Sequence, residues 1–223
     1  MILPDPRALH NEYQVAKPFP HMVIKDLFPR EVLIEASNEF DLVTDWRTHN
    51  HKHVANKYSL SDYEKIPETC KYIIDVLNSD VFVDWLSKLT GWRDLVADDM
   101  LGGAGLHMTT NGGFLDIHRD FSYQKYLKAN RKLNVIIFLN PNFDHSWKNG
   151  DLELWSQERI GKRIPPVFGD MVIFNTIGNY HGHPYALNFP KGEHRKSIAT
   201  YYYQPGKPEG EPHSTMYKYK DKK

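Results

Sequence analysis

Cysteine is nearly absent: Cys70 is the only one in 223 residues. That excludes a disulfide framework and a thiolate-rich zinc or iron–sulfur site within one chain. An excess of either charge is also missing, since 28 Lys and Arg stand against 28 Asp and Glu. The balance excludes a generally basic nucleic-acid binder and a polyacidic protein, leaving only local patches for charged partners. Long apolar runs are missing too. The longest purely aliphatic or aromatic run spans 135–139, far short of the ~20 residues a membrane helix needs. The opening Met-Ile-Leu-Pro-Asp-Pro has no basic stretch followed by an apolar one. A secretory signal is not expected there, and a cytosolic location is. No dinucleotide fingerprint, phosphate-binding loop, repeat or low-complexity linker occurs.

Twelve histidines are what the chain has in place of cysteine. Hydrophobic content of 40% with 25% charged residues fits an ordinary globular protein, and the length fits one domain with a real core. The front half reads as helical. A short strand is expected at 20–27, then a helix opened by Pro29 with Val32, Leu33, Ala36 and Phe40 at helical spacing. Residues 41–64 read as polar and irregular. Two further helices are expected at 67–78 and 80–90, the second closed by Gly91. After residue 100 the period changes. The run 133–140 (LNVIIFLN), the alternating 151–155 (DLELW), the apolar 171–174 and SIATYYY at 197–203 read as strands. Short strands between turn signals predict a sandwich or barrel rather than a parallel βαβ sheet. The expected organisation is one domain. It has an N-terminal strand and helices (1–99), a β core (100–204), and a Pro- and Lys-rich polar tail (205–223) that ends in KYKDKK, a solvated segment by composition.

His118 and Asp120 stand two apart in LDIHRDF. On a strand, residues i and i+2 share a face, so an imidazole and a carboxylate converge there. A second imidazole from a distant strand would complete two histidines and one carboxylate on one face of an octahedral ion, leaving positions open for ligands. His181 and His183, in NYHGHPYAL, are the candidates. A polar pair on a surface strand would read the same way, so the pair alone decides nothing. Arg195 opens RKSIATYYY. Pointed into an apolar barrel it would need an anion, and its planar fork suits a carboxylate. Ser197, at i+2, would share that carboxylate.

The order HRD (118–120), RKLNVIIFLN (131–140), GDLELW (150–155), PVFGDMVIFN (166–175), HGHP (181–184) and RKSIATYYY (195–203) resembles the Fe(II)/2-oxoglutarate-dependent dioxygenases, on their prolyl-hydroxylase-like branch. The resemblance covers roughly 100–204. It implies a mainly β fold with flanking helices, built on a double-stranded β-helix (jelly-roll, cupin-like) core. It implies His118, Asp120 and His181 as the metal ligands and catalytic centre. It further implies Arg195, with Ser197 and Thr109, as the residues binding 2-oxoglutarate. The cofactors implied are Fe(II), 2-oxoglutarate and O2, with ascorbate as an optional reductant. The activity implied is hydroxylation of a C–H bond with release of succinate and CO2. Two departures stand out. Collagen-type prolyl hydroxylases carry Lys where this chain has Arg195, and many prolyl hydroxylases carry Tyr where it has Thr109. Asp120 is intact, whereas related halogenases have Gly or Ala there, so hydroxylation is expected over halogenation.

The substrate stays open at this point: a free amino acid, a peptidyl residue such as proline, or another small metabolite, with neither membrane nor nucleic acid as partner. A cupin-like Zn or Mn hydrolase or isomerase, or a ligand-binding module on this scaffold, would share the same pattern. His49, His51 and His53 alternate in THNHKH and read as a polar loop at the site mouth, with three-imidazole metal binding as the alternative. His107 reads as a site-lining or a hydrogen-bonded core residue. Arg131 and Asn134 read as orienting residues or as ordinary cross-strand partners.

Overall fold

The computed structural model describes residues 1–218. The α-helices among these residues are α1 (Pro6–Val15), α2 (Arg30–Glu39), α3 (Glu68–Asn78) and α4 (Asp80–Thr90). The strands are β1 (His21–Ile24), β2 (Arg47–His51), β3 (Val54–Leu60), β4 (Val96–Ala97), β5 (Gly105–Arg119), β6 (Tyr123–Gln124), β7 (Ala129–Phe138), β8 (Leu152–Trp155), β9 (Ile160–Ile164), β10 (Met171–Asn175), β11 (Tyr180–His183), β12 (Arg195–Pro205) and β13 (Met216–Tyr217). The sheet runs β1-β10-β7-β12-β5-β11-β8-β9, with β3 on the far side of β5, and its strand pairs are antiparallel. It curls on itself as a double-stranded β-helix, as expected. Among the described residues no helix is long and apolar enough to cross a membrane.

The reason LNVIIFLN reads as one apolar run is visible in β7. Leu133, Val135 and Ile137 face the helical layer and join the large core with Leu33, Ala36, Ile73, Leu77, Phe82 and Leu86. Alternate residues face inward: Asn134 and Ile136 line the central cavity, and Phe138 enters a second core with Leu152, Val172 and Phe174. Both faces of the strand are therefore covered. Each fully buried Leu, Ile or Phe contributes about 1.5–3 kcal/mol, so the sheet that carries the site is a stiff platform. The Tyr202 hydroxyl donates to the Leu77 carbonyl at 2.8 Å and ties β12 to α3. Gly91 closes α4 in the left-handed conformation, φ 79°.

Three features depart from the sequence reading. A first helix, α1, precedes the expected strand. Asp5 caps it by accepting from the Arg7 N–H at 3.0 Å, and Pro6 is at its first position. That is an ordinary helix-start signal. Residues 41–64 are not irregular, because they contain the hairpin β2–β3, which docks on β5. The tail is not a loose appendage up to Tyr217: Met216 and Tyr217 pair with Arg119 and His118. Of KYKDKK, only Lys218 falls within the described residues.

Candidate active site

β5 is the organising strand. Three residue steps on β3, from Val54 to Lys57, span six on β5, from Leu115 to Thr109. β5 therefore bulges midway and serves two walls of the cavity, with β12 beside its first half and β11 beside its second. His181 is directly opposite His118 across β5 and β11. The two strands approach closely at Gly182, where an added Cβ would sit 2.8 Å from the carbonyl oxygens of Leu115 and Asp116. Only glycine fits that crossing.

Nitrogens of His118 and His181 and a carboxylate oxygen of Asp120 lie within 4.8 Å of one another. The His118 Nε2 is 3.6 Å from Asp120 Oδ1, and the His181 Nε2 is 3.5 Å from Asp120 Oδ2. Asp120 falls just past the end of β5, so loop and strand together aim the pair. The His118 Nδ1–H donates to the Asp116 carbonyl at 2.8 Å, which leaves Nε2 with its lone pair toward the cluster. Burial, against the pull of Asp120, holds His181 down to about 3, so both its nitrogens stay uncharged at neutral pH. Burial alone would raise Asp120. The Arg131 guanidinium and the two imidazoles overcome that and hold the carboxyl well below its usual range. Arg131 Nη2 sits 3.0 Å from Asp120 Oδ2, and Asn134 Nδ2 donates to the same oxygen at 3.1 Å. Arg131 is fixed in turn by the Tyr201 ring, 3.4 Å below its guanidinium carbon. Two residues with open roles in the sequence thus act together on Asp120.

His183 lines the same cavity of about 300 Å³ but is not among the clustered donors. It is opposite Leu115, beyond a register shift from His181. Burial, Arg195 and Lys57 lower it well below the ordinary imidazole range. Arg195, Ser197 and Thr109 are buried in the wall that β12 and β5 form. The Arg195 Nε–H donates to the Gly150 carbonyl at 2.9 Å, and its guanidinium carbon is 4.9 Å above the Phe138 ring. Desolvation lowers this guanidinium to about 10 despite the nearby Asp151.

The histidines of THNHKH split. His49 and His51 line the cavity from β2. His53 occupies the hairpin turn, where its Nδ1 meets Asp116 Oδ2 at 3.0 Å and its ring stacks on Tyr217 at 4.4 Å. His53 is set in the turn rather than on the strand, and its ring lies 6.2 Å from that of His51. Tyr217 and Lys57 are site residues that the sequence reading missed. Tyr217 was hidden in a tail-like composition, and Lys57 in a segment with no apolar period.

Residues 104–203 match the 2OG-Fe(II) oxygenase superfamily. That segment belongs to this superfamily. The chain is accordingly a dioxygenase, and the family that its core matches uses Fe(II), 2-oxoglutarate and O2. The donor set fits such an ion: two imidazoles and one ionised carboxylate, the hard and borderline ligands iron takes. No curated protein sequence matches the chain. Among solved structures, a Pseudomonas putida prolyl-4-hydroxylase is similar, with TM-score 0.65 and 14% identity over 90% of this chain and 100% of that one. A Trichoplax adhaerens prolyl hydroxylase, solved with a hypoxia-inducible-factor oxygen degradation domain peptide, gives 0.63 and 15% over 89% and 90%. HygX of Streptomyces hygroscopicus, solved with nickel, 2-oxoglutarate and hygromycin B, gives 0.55 and 11% over 82% of each chain. At these identities the three share the fold of this oxygenase.

Proposed function

We propose that this oxygenase hydroxylates a C–H bond of a peptidyl residue such as proline, a free amino acid or another small metabolite, and releases succinate and CO2. His118, Asp120 and His181 hold its iron, and Arg195, Ser197 and Thr109 hold 2-oxoglutarate. The observation that supports this most is one cavity with a two-histidine, one-carboxylate cluster in one wall and a buried Arg195 in another. In this reading residues 100–204 form the core, and 1–99 supply its helical backing and the β2–β3 wall.

Bound iron supplies the O2 activation that side chains lack. The chain's own part is placement. His181 enters as a neutral imidazole and loses no proton to bind a metal near neutral pH. Arg131 and Asn134 keep the Asp120 carboxylate ionised and aimed. Arg195 offers a planar, always-charged fork to the far carboxylate, and the Ser197 hydroxyl adds a donor beside it. The apolar Ile136, Leu152 and Ala199 side chains line the space between. Tyr217, His51 and His53 stand together beside His118, where a substrate would enter. Two of the structural relatives are prolyl hydroxylases, which puts peptidyl proline first in a substrate panel.

Production of succinate from 2-oxoglutarate is the test, assayed with proline-containing peptides and free amino acids, in Fe(II) and in Zn(II). Iron-dependent succinate matched by a substrate gain of one oxygen atom supports the proposal. A reaction that runs in Zn(II) without O2 refutes it and favours a cupin-like hydrolase.

A further inference from the structure

Lys57 is a cation in the cavity with no role so far. The register pairs Lys57 with Thr109, and Thr109 with Arg195, so the three form one row across β3, β5 and β12. Residues directly opposite on antiparallel strands project to the same side, and all three line the cavity. Thr109 is short, which leaves the space above it to the two long cations on either side. Lys57 Nζ donates to His107 Nδ1 at 2.9 Å. That contact fixes the side chain and uses one of its three N–H donors. The cavity's carboxylate, Asp120, is already engaged by Arg131 and Asn134. Desolvation first, and then Arg195, lower the Lys57 ammonium to about 8. Two like charges in a dry space are costly until an anion joins them.

We propose that Lys57, braced by His107, is a second cationic arm on the far carboxylate of 2-oxoglutarate, and that it makes the site selective for a 2-oxo acid bearing that carboxylate. The proposal rests on the reading of the cavity as a 2-oxoglutarate site. A carboxylate between Lys57 and Arg195 offsets both charges at once. One bound elsewhere would offset a single cation and leave the other exposed to its neighbour.

The test is calorimetric titration of the nickel-loaded protein, nickel being the metal with which HygX was solved beside 2-oxoglutarate. The probes are 2-oxoglutarate and 2-oxobutyrate, which has the same 2-oxo acid head and no far carboxylate. Lys57→Met should weaken 2-oxoglutarate by roughly 10- to 100-fold, the loss of one charge-assisted contact, and shift 2-oxobutyrate by less than about 2-fold. Lys57→Arg should recover most of the affinity. Wild-type affinity for 2-oxoglutarate in Lys57→Met overturns the proposal and assigns the ammonium to a carboxylate on the substrate. Equal weakening of both acids also overturns it, because the lysine would then act on the fold or the metal. If the wild-type protein binds neither acid, the 2-oxoglutarate reading falls, and this proposal with it.

Discussion

Replacing Arg131 with Met removes the guanidinium that sits 3.0 Å from Asp120 Oδ2 while keeping most of the side chain's bulk against Tyr201. Asn134 still donates to that oxygen at 3.1 Å, but a neutral amide cannot replace a charge in a buried site. Breaking one side of a buried charge pair costs about 3–5 kcal/mol. Part of that loss is avoided, because Asp120 binds a proton more readily when the two imidazoles alone oppose the effect of burial. A protonated carboxyl is a poor metal ligand, so the effect appears as weaker, pH-dependent metal binding. Losing such a supporting contact lowers metal affinity by roughly 10- to 100-fold. The defect should shrink as pH rises and Asp120 ionises again. Competition titrations with a metal-binding dye at several pH values measure both features. Metal affinity in Arg131→Met within about 2-fold of wild type at every pH would refute the reasoning, since such a supporting contact is worth tenfold or more.

Three other outcomes follow from the same geometry. Acid should destabilise the metal-free protein between about pH 6.5 and 5, where ordinary imidazoles titrate. Burial holds His181 and His183 below that range in the fold, so the unfolded chain takes up protons that the native one does not. Stability then falls by up to about 1.4 kcal/mol per histidine per pH unit. Asp120 adds nothing in that window, because its lowered value matters only below the ordinary carboxylate range. A urea midpoint that stays flat over the window would contradict this. Gly182→Ala should destabilise the fold by about 1–3 kcal/mol through overpacking against two backbone carbonyls and weaken metal binding by moving His181. An unchanged melting temperature would show that β11 and β5 part freely. Arg195→Met should raise the 2-oxoglutarate dissociation constant at least about tenfold, the loss of a charge-assisted contact, with metal stoichiometry unchanged. Co-substrate binding at wild-type strength would remove Arg195 from the site.

Part of the site can be read in the sequence. The two-residue spacing brings out His118 and Asp120 as a pair on one strand face, whereas the choice of His181 over His183 and the role of Arg195 come from the order of motifs shared with the oxygenases, not from any period. β7 could be recognised because both its faces are buried. The hairpin β2–β3 could not, because its inward residues, His49, His51 and Lys57, line a charged cavity. Polar residues therefore stand where the alternation rule expects apolar ones, and Arg47 to Lys57 scans as loop. Arg131 and Asn134 show a different limit. Their joint hold on Asp120 depends on bringing β7 to the end of β5, two strands that do not pair with each other, and no local pattern encodes that. Tyr217 belongs to a two-residue strand whose order comes from pairing with β5 and stacking on His53, not from its own sequence.

The account rests on three residues acting as one metal site. The direct measurement is the Fe(II) stoichiometry of the wild-type protein and of the His118→Ala, Asp120→Ala, His181→Ala and His183→Ala variants, by anaerobic equilibrium dialysis. The prediction is one ion per chain in wild type and in His183→Ala, and none retained at the same free iron in the other three. An ion retained by Asp120→Ala or His181→Ala, or lost with His183 alone, would contradict it.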